Sequence, residues 1–265
     1  MELIDSHCHL DLPAFDADRA AVIARSRANG VSGFVVPGVQ ASGWEPLWQL
    51  SRQVPDLYPA FGLHPLYLEQ HGADDVAVLE TMLAGKRPVA IGEIGLDLHI
   101  KGLDPDRQQA LFEAQLAVAR SAELPVILHV LKAHDRVLST LQRIRVSGGI
   151  VHAFNGSLQQ AQRYIELGFS FGFGGMLTFE RSSKLRALAR ELPLASIVLE
   201  TDAPDMTVVQ HRGERNSPEY LPYCLAALAE VRGMDAGEVA QATTHNVRTL
   251  LGLPEWRQQH GAALQ

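Results

Sequence analysis

Cysteine is nearly absent: the 265-residue chain has two, Cys8 and Cys224, far apart and in no CxxC pair. That excludes a disulfide framework or a zinc knuckle, and each is read as a small buried or half-buried residue with no chemical role. No apolar run approaches the ~18 residues a membrane span needs, and the first strand begins at Glu2 without a basic segment and apolar stretch before it. These absences predict a cytoplasmic protein with no membrane attachment. Basic residues are in deficit, 23 Lys and Arg against 30 Asp and Glu, for a net charge of −7. A protein that coats nucleic acid through a broad basic surface is thereby disfavoured, whereas an enzyme gripping one or two phosphates locally is not. Linkers, low-complexity tracts and charge blocks are missing too, so nothing marks a second domain. What remains is ordinary globular composition, 46% apolar and 20% charged, at a length that one α/β barrel fills.

Short apolar, β-branched runs ended by Gly or Pro recur eight times, separated by stretches of helical period. They are Leu3 to His9, Val31 to Gly38, Leu57 to Pro65, Val89 to Asp97, Pro125 to Val130, Gly149 to Phe154, Phe169 to Gly174 and Ile197 to Pro204. Ala20 to Ala28, closed by Asn29-Gly30, and Pro105 to Glu123 read as amphipathic helices. Two further helices, Pro218 to Arg232 and Asp235 to Leu251, follow the eighth strand. Eight βα units in series predict a single (β/α)8 barrel of the TIM type over residues 1–253, with Pro254 to Gln265 a polar, frayed tail.

In such a barrel chemistry belongs at the carboxyl ends of the strands. His7 and His9 end strand one, His64 strand three, His129 strand five and His152 strand six; Glu93 lies late in strand four and Asp202 follows strand eight. In an extended strand residues i and i+2 share a face, so His7 and His9 form a chelate while Cys8 points away. Alone, that pair is equally a strand end with two solvated histidines, and each other residue is explained as a hydrogen-bonded core group. Together, polar groups that interrupt apolar strands at one end of the barrel predict a metal centre. Six metal-binding strand ends exceed what one tetrahedral ion needs, so two ions about 3.5–4 Å apart are expected, with Glu93 bridging them. Their identity, Mg, Mn or Zn, is left open.

The motifs Asp5-Ser6-His7-Cys8-His9-Leu10-Asp11, Gly62-Leu63-His64-Pro65, Ile91-Gly92-Glu93-Ile94-Gly95-Leu96-Asp97, Pro125-Val126-Ile127-Leu128-His129 and Glu200-Thr201-Asp202-Ala203-Pro204 occur in order, followed by Arg215-Asn216-Ser217-Pro218 and Asn246. From about Leu3 to Leu253 the chain resembles the TatD family of metal-dependent hydrolases. That resemblance implies a (β/α)8 barrel with one or two divalent ions, acting as a deoxyribonuclease, typically 3′ to 5′ on single-stranded DNA. It implies that His7 and His9 bind the first ion with Asp202, that Glu93 bridges, and that His129 and His152 bind the second.

Phosphodiester hydrolysis assigns Asp202 to orient water or accept its proton. His64, without an obvious metal partner, is assigned a hydrogen bond to the phosphate. Where the family commonly has Ser and a basic residue after the strand-five histidine, this chain has Val130 and Leu131, which moves that contact to Lys132. The family's Cys after the strand-six histidine is Ala153 here, and its aromatic after Leu96-Asp97 is Leu98. Arg215 is the second phosphate candidate. His71, His99, His134, His211, His245 and His260 are read as surface or helix residues, and Arg181, Lys184 and Arg186 as solvent-facing on a helix. Rival readings are a D-aminoacyl-tRNA deacylase or another ester or amide hydrolase on the same barrel, and a non-catalytic metal-binding scaffold. Many amide-cleaving relatives bridge through a carboxylated lysine where this chain has Glu93, which favours the phosphodiesterase. A monomer is expected.

Overall fold

The computed structural model describes residues 2–254. Eight strands pair in parallel in the order β1 to β8: Leu3–Asp5, Val31–Pro37, Leu57–Phe61, Ala90–Asp97, Val126–Leu131, Gly149–Val151, Phe169–Phe173 and Ile197–Leu199. The seam between β8 and β1 is bridged by Ser6 N donating to Leu199 O at 3.0 Å and Asp202 N donating to His7 O at 2.8 Å. The buried Asp5 carboxylate reinforces it, accepting from Thr201 N at 2.9 Å and Thr201 Oγ1 at 2.5 Å. Burial pushes the Asp5 carboxyl up to about 8, against the lowering effect of the Thr201 hydrogen bonds. The (β/α)8 barrel read from the sequence is the fold.

The helices are α1 Arg19–Ala28, α2 Ala41–Gln53, α3 Asp75–Gly85, α4 Pro105–Ser121, α5 His134–Arg143, α6 Leu158–Glu166, α7 Ser183–Glu191, α8 Leu221–Arg232 and α9 Ala236–Leu251. Their ends follow local chemistry. Asp104 accepts from Asp106 N and Arg107 N ahead of α4, with Pro105 at its first position, and Ser157 with Gln160 forms a capping box on α6. Among the described residues no helix is long and apolar enough to cross a membrane. The tail from 255 onward lies outside the described residues.

Strand alternation sorts the core into two compartments. Leu3, Phe34, Val36, Val126, Leu128 and Val151 join the large cluster between sheet and helices. Ile4, Val35, Ala60, Ile127, Ile150 and Val198 fill the barrel interior, closed from below by Val247, Leu251 and Leu253 from α9 and the residues after it. Two residues beyond Ile127, Ile150 and Val198 on that inward face stand His129, His152 and Glu200. The floor of the site is therefore the next layer above an apolar plug.

Two strands deliver site residues out of this period. Ile4 faces inward and Leu3 outward, so a strand continued to His9 would send His7 and His9 out to the helices. Instead β1 stops at Asp5 and the chain bends at Ser6 and His7, which turns both rings inward. The expected chelate forms, but by leaving the strand rather than by extending it. In β4, Ala90 faces the interior and Ile91 the helices, so alternation would place Glu93 outside. The register of β4 on β5 shifts between Ile91 and Ile94, and Glu93 lies at that irregularity, its side chain in the barrel. The third, sixth and eighth strands also end earlier than read, at Phe61, Val151 and Leu199, and His64, His152 and Asp202 stand just beyond them.

Candidate metal centre

Six side chains from five strand ends meet around the carboxylate of Glu93, on a sixth strand and itself 1% exposed. Its Oε2 lies 3.1 Å from His7 Nε2 and 3.6 Å from His9 Nε2. Asp202 Oδ1 completes that side, 3.6 Å from His7 Nε2 and 3.7 Å from His9 Nε2. The other oxygen, Oε1, lies 3.1 Å from His129 Nδ1, 3.1 Å from His64 Nε2 and 3.7 Å from His152 Nε2. One carboxylate thus presents one oxygen to each of two donor clusters. Asp202 occupies left-handed backbone, φ 57°, a conformation Asp tolerates better than most residues. Its loop is held by Asn216 Nδ2 donating to the carbonyls of Thr201 and Asp205 at 2.8 and 2.6 Å.

Ring orientation follows from the nitrogen turned away from the centre. His9 Nδ1 lies 3.3 Å from Pro37 O and donates to it, leaving Nε2 a lone pair aimed inward. His129 Nε2 is 3.1 Å from Asp97 Oδ2, so its Nδ1 faces Glu93. His152 Nδ1 lies 3.3 Å from Glu200 Oε1 without the alignment of a hydrogen bond, and Ala153 N donates to that oxygen at 2.7 Å. His64 differs. Its Nδ1 accepts from Leu66 N at 3.1 Å, so a neutral ring carries its proton on Nε2, as a donor toward Glu93 rather than an electron-pair ligand. Burial holds the His64 pKa down at about 4, against the opposing pull of Glu93, and the ring is neutral at pH 7.

The donor set fits divalent cations. His7, His9 and Asp202 form one group of ligand atoms within 4.8 Å of one another, and His7, Glu93 and His152, and His64, Glu93 and His129, form two more. Burial opposes ionisation of Glu93, yet His64, His7, His152 and the His129 hydrogen bond hold its carboxyl well below the ordinary range. His152, where burial also opposes charge, is pushed up to about 10 by Asp202, Glu200 and Glu93. His7 is lowered by burial and by His152. Three carboxylates around one buried imidazole favour positive charge at this point, which a divalent cation would supply. Charge complementarity and convergent ligand atoms both match the group that the sequence implies.

Asp97 and Glu200, each behind a histidine, were not singled out as site residues. Their signal was present: both are acidic residues in nearly continuous apolar stretches. Gly172 shows how closely Glu200 is fitted, since a Cβ there would collide with its carboxylate. The phosphate candidates are not brought together. Lys132 is exposed, and the Arg215 guanidinium is engaged by Asp18 at 2.9 and 2.7 Å and lies over the Phe15 ring. It joins the loop before α1 to the loop before α8.

Other basic residues are better placed. Arg181 and Lys184, expected merely to face solvent, line a cavity together with His129, His152 and Asp202, whereas Arg186 is paired with Glu230 at 2.6 Å. His134, at the start of α5, is buried against Tyr164 and Asn155, because α5 packs on α6 there. His71 is half-buried, its Nε2 donating to His64 O at 2.8 Å, and His211 stacks on Tyr220 with 3.8 Å between ring centroids. His99 and His245 are exposed, as read, and His260 lies outside the described residues.

A parallel barrel with histidines and carboxylates gathered over the carboxyl ends of its strands defines a metal-dependent hydrolase. The sequence matches the family TatD related DNase over residues 4–252. The chain belongs to the TatD family. It is 43% identical over 257 residues to the uncharacterized metal-dependent hydrolase YjjV of Escherichia coli strain K12, covering 95% of this chain and 98% of the relative. The crystal structure of the Escherichia coli K12 TatD homologue YjjV has a TM-score of 0.92 at 42% identity, covering 95% of this chain and 98% of that one. A 3'-5' ssDNA/RNA exonuclease TatD from Erwinia tasmaniensis is 34% identical over 259 residues, covering 95% of this chain and all of the relative, 100%.

Proposed function

We propose that this chain, as a monomer, removes nucleotides from the 3′ end of single-stranded DNA by hydrolysing the phosphodiester bond with two divalent ions. The observation that carries the reading is the split of Glu93, Oε2 toward His7 and His9 and Oε1 toward His129 and His152. His7, His9, Asp202 and Glu93 would hold one ion, and His129, His152 and Glu93 the other. An imidazole-rich set suits Zn more than Mg. Divalent ions there would supply positive charge against the phosphoryl oxygens and would acidify water to a pKa of about 7.

The protein's own groups do the rest. Asp202 Oδ1, at the open edge of the first cluster, orients the attacking water and accepts its proton. His64, assigned from the sequence to the phosphate, instead donates its one N–H to Glu93 Oε1 at 3.1 Å, which fixes that carboxylate between the two clusters. Asp97 fixes the His129 ring through its hydrogen bond to Nε2, and the buried Glu200 carboxylate sets the charge beside His152. The nuclease name of the Erwinia relative supports a nucleic-acid substrate.

A 5′-labelled single-stranded DNA incubated with the protein and Mn2+ or Zn2+ tests the reading. A ladder shortening from the 3′ end, absent with Asp202→Asn, is the expected result. Cleavage of an aminoacyl-tRNA or a small ester with no ladder would assign the barrel to ester hydrolysis instead.

A further inference from the structure

Beside the metal centre lies a cavity of about 580 Å3, in the range of ligand pockets. It shares His129, His152 and Asp202 with the centre, so an occupant sits next to the reacting bond. Its walls are otherwise largely apolar: Leu131 at the end of β5, Phe173 at the end of β7, Met176, Leu185 on α7, and Met206 in the loop after β8. A sugar-phosphate backbone finds few partners on such walls, whereas a nucleobase presents a flat apolar face to them.

The cavity also has two cations. Among the described residues, neither Arg181 nor Lys184 lies within ion-pair distance of a carboxylate. Lys184 Nζ donates to Asn155 O at 2.7 Å, and the Arg181 guanidinium lies over the Phe179 ring. Most arginines elsewhere on the surface are engaged, including Arg25, Arg107, Arg143 and Arg215. Two cations without acidic partners beside an apolar hollow suit a ligand that is both anionic and aromatic.

Resting on the nucleic-acid reading above, we infer that this cavity receives the base of the nucleotide being removed, and that Arg181 and Lys184 meet a phosphate next to the scissile one. The pocket selects for the presence of a base more than for its identity, because its walls are mostly apolar and the Asn155 amide that lines it is already engaged by His134, Val130 and Ala153.

The test compares two 5′-labelled oligonucleotides, one ending in thymidine and one in a tetrahydrofuran abasic nucleotide. With the wild-type protein, kcat/KM for the first cleavage is expected to be about tenfold or more higher for the thymidine end, the scale of one stacked base. Leu185→Trp, which fills the cavity, should bring that ratio toward one. Arg181→Ala with Lys184→Ala should flatten the dependence of log KM on log salt by up to about 0.7, the share of one neutralised phosphate on a single strand. Equal rates on the two ends in the wild type overturn the base pocket while leaving the nuclease intact, and that comparison does not depend on how any variant folds. Cleavage of neither end, with bis(p-nitrophenyl) phosphate still hydrolysed, overturns the nucleic-acid reading and the pocket with it.

Discussion

Asp202 is the residue at which the chemistry is most exposed to test. It sits 3.6 and 3.7 Å from the Nε2 atoms of His7 and His9, with its side chain 14% exposed, more open than Glu93 at 2%. A group that takes up a proton must reach both the site and water, and Asp202 does. Asp202→Asn keeps the shape and removes the proposed base, so kcat should fall by about 100-fold to 10,000-fold, with the melting temperature changed by no more than a few degrees. Activity within threefold of wild type would show that another group takes the proton. His134 carries a different test, of folding rather than catalysis. Burial lowers its pKa and the nearby Lys184 adds to that, while Asn155 and Asp135 oppose. The unfolded chain, with histidine near 6.5, therefore binds a proton more readily than the folded one. Stability is retained above pH 6.5 and lost as pH falls below it. Denaturant titrations at pH 7.5 and 5.5 should show a smaller acid-induced loss in His134→Gln than in wild type; parallel losses would mean that burial does not hold this ring neutral.

At the scale of elements, the sequence pattern was most readable where the period was kept. Eight parallel strands and the helices around α4, α8 and α9 follow from apolar periodicity and punctuation by Gly and Pro. His129 and His152 were also legible in place, since each continues the inward alternation of Ile127 and Ile150. The bend after Asp5 and the shifted register at Glu93 were not, because a single chain does not reveal where one strand slips against its neighbour. The residue types still named the ligands, though the backbone that delivers them was hidden. Asp97 and Glu200 were missed for a related reason: a carboxylate acting through a histidine differs from a ligand only in distance. Gly95 makes the cost of this crowding measurable. It has φ 147°, and a Cβ there would run into the His129 carbonyl, so Gly95→Ala should destabilise by about 1–3 kcal/mol or more and disturb His129. In contrast, Gly43 lies within α2 with nothing near its missing Cβ, and Gly43→Ala should stabilise by up to about 1 kcal/mol. Urea titration of the pair decides: equal effects would mean that β4 can move away from β5 at little cost.

The whole molecule is built around a charged cluster that its apolar layers cannot solvate. Below the site the barrel is filled by Ile4, Val35, Ile127, Ile150 and Val198; around it, a larger apolar cluster lies between sheet and helices. Buried carboxylates and imidazoles in such surroundings are stable only when paired, and under the two-ion reading proposed above, cations at Glu93 would bind the folded chain and not the unfolded one. Binding of that kind adds stability as RT ln(1 + [L]/Kd), about 2.7 kcal/mol at a hundredfold excess over Kd. At about 2–4 °C per kcal/mol for a chain near this size, the melting temperature should rise by roughly 5–10 °C on adding Zn2+ or Mn2+ to chelator-treated protein. Glu93→Gln weakens both clusters at once, because each uses one oxygen of the same carboxylate, so the rise should nearly vanish in that variant. Asp202→Asn touches only the first cluster and should keep an intermediate rise. If Glu93→Gln and Asp202→Asn lose the same share, Glu93 serves one ion and not two, and the barrel works with a single metal.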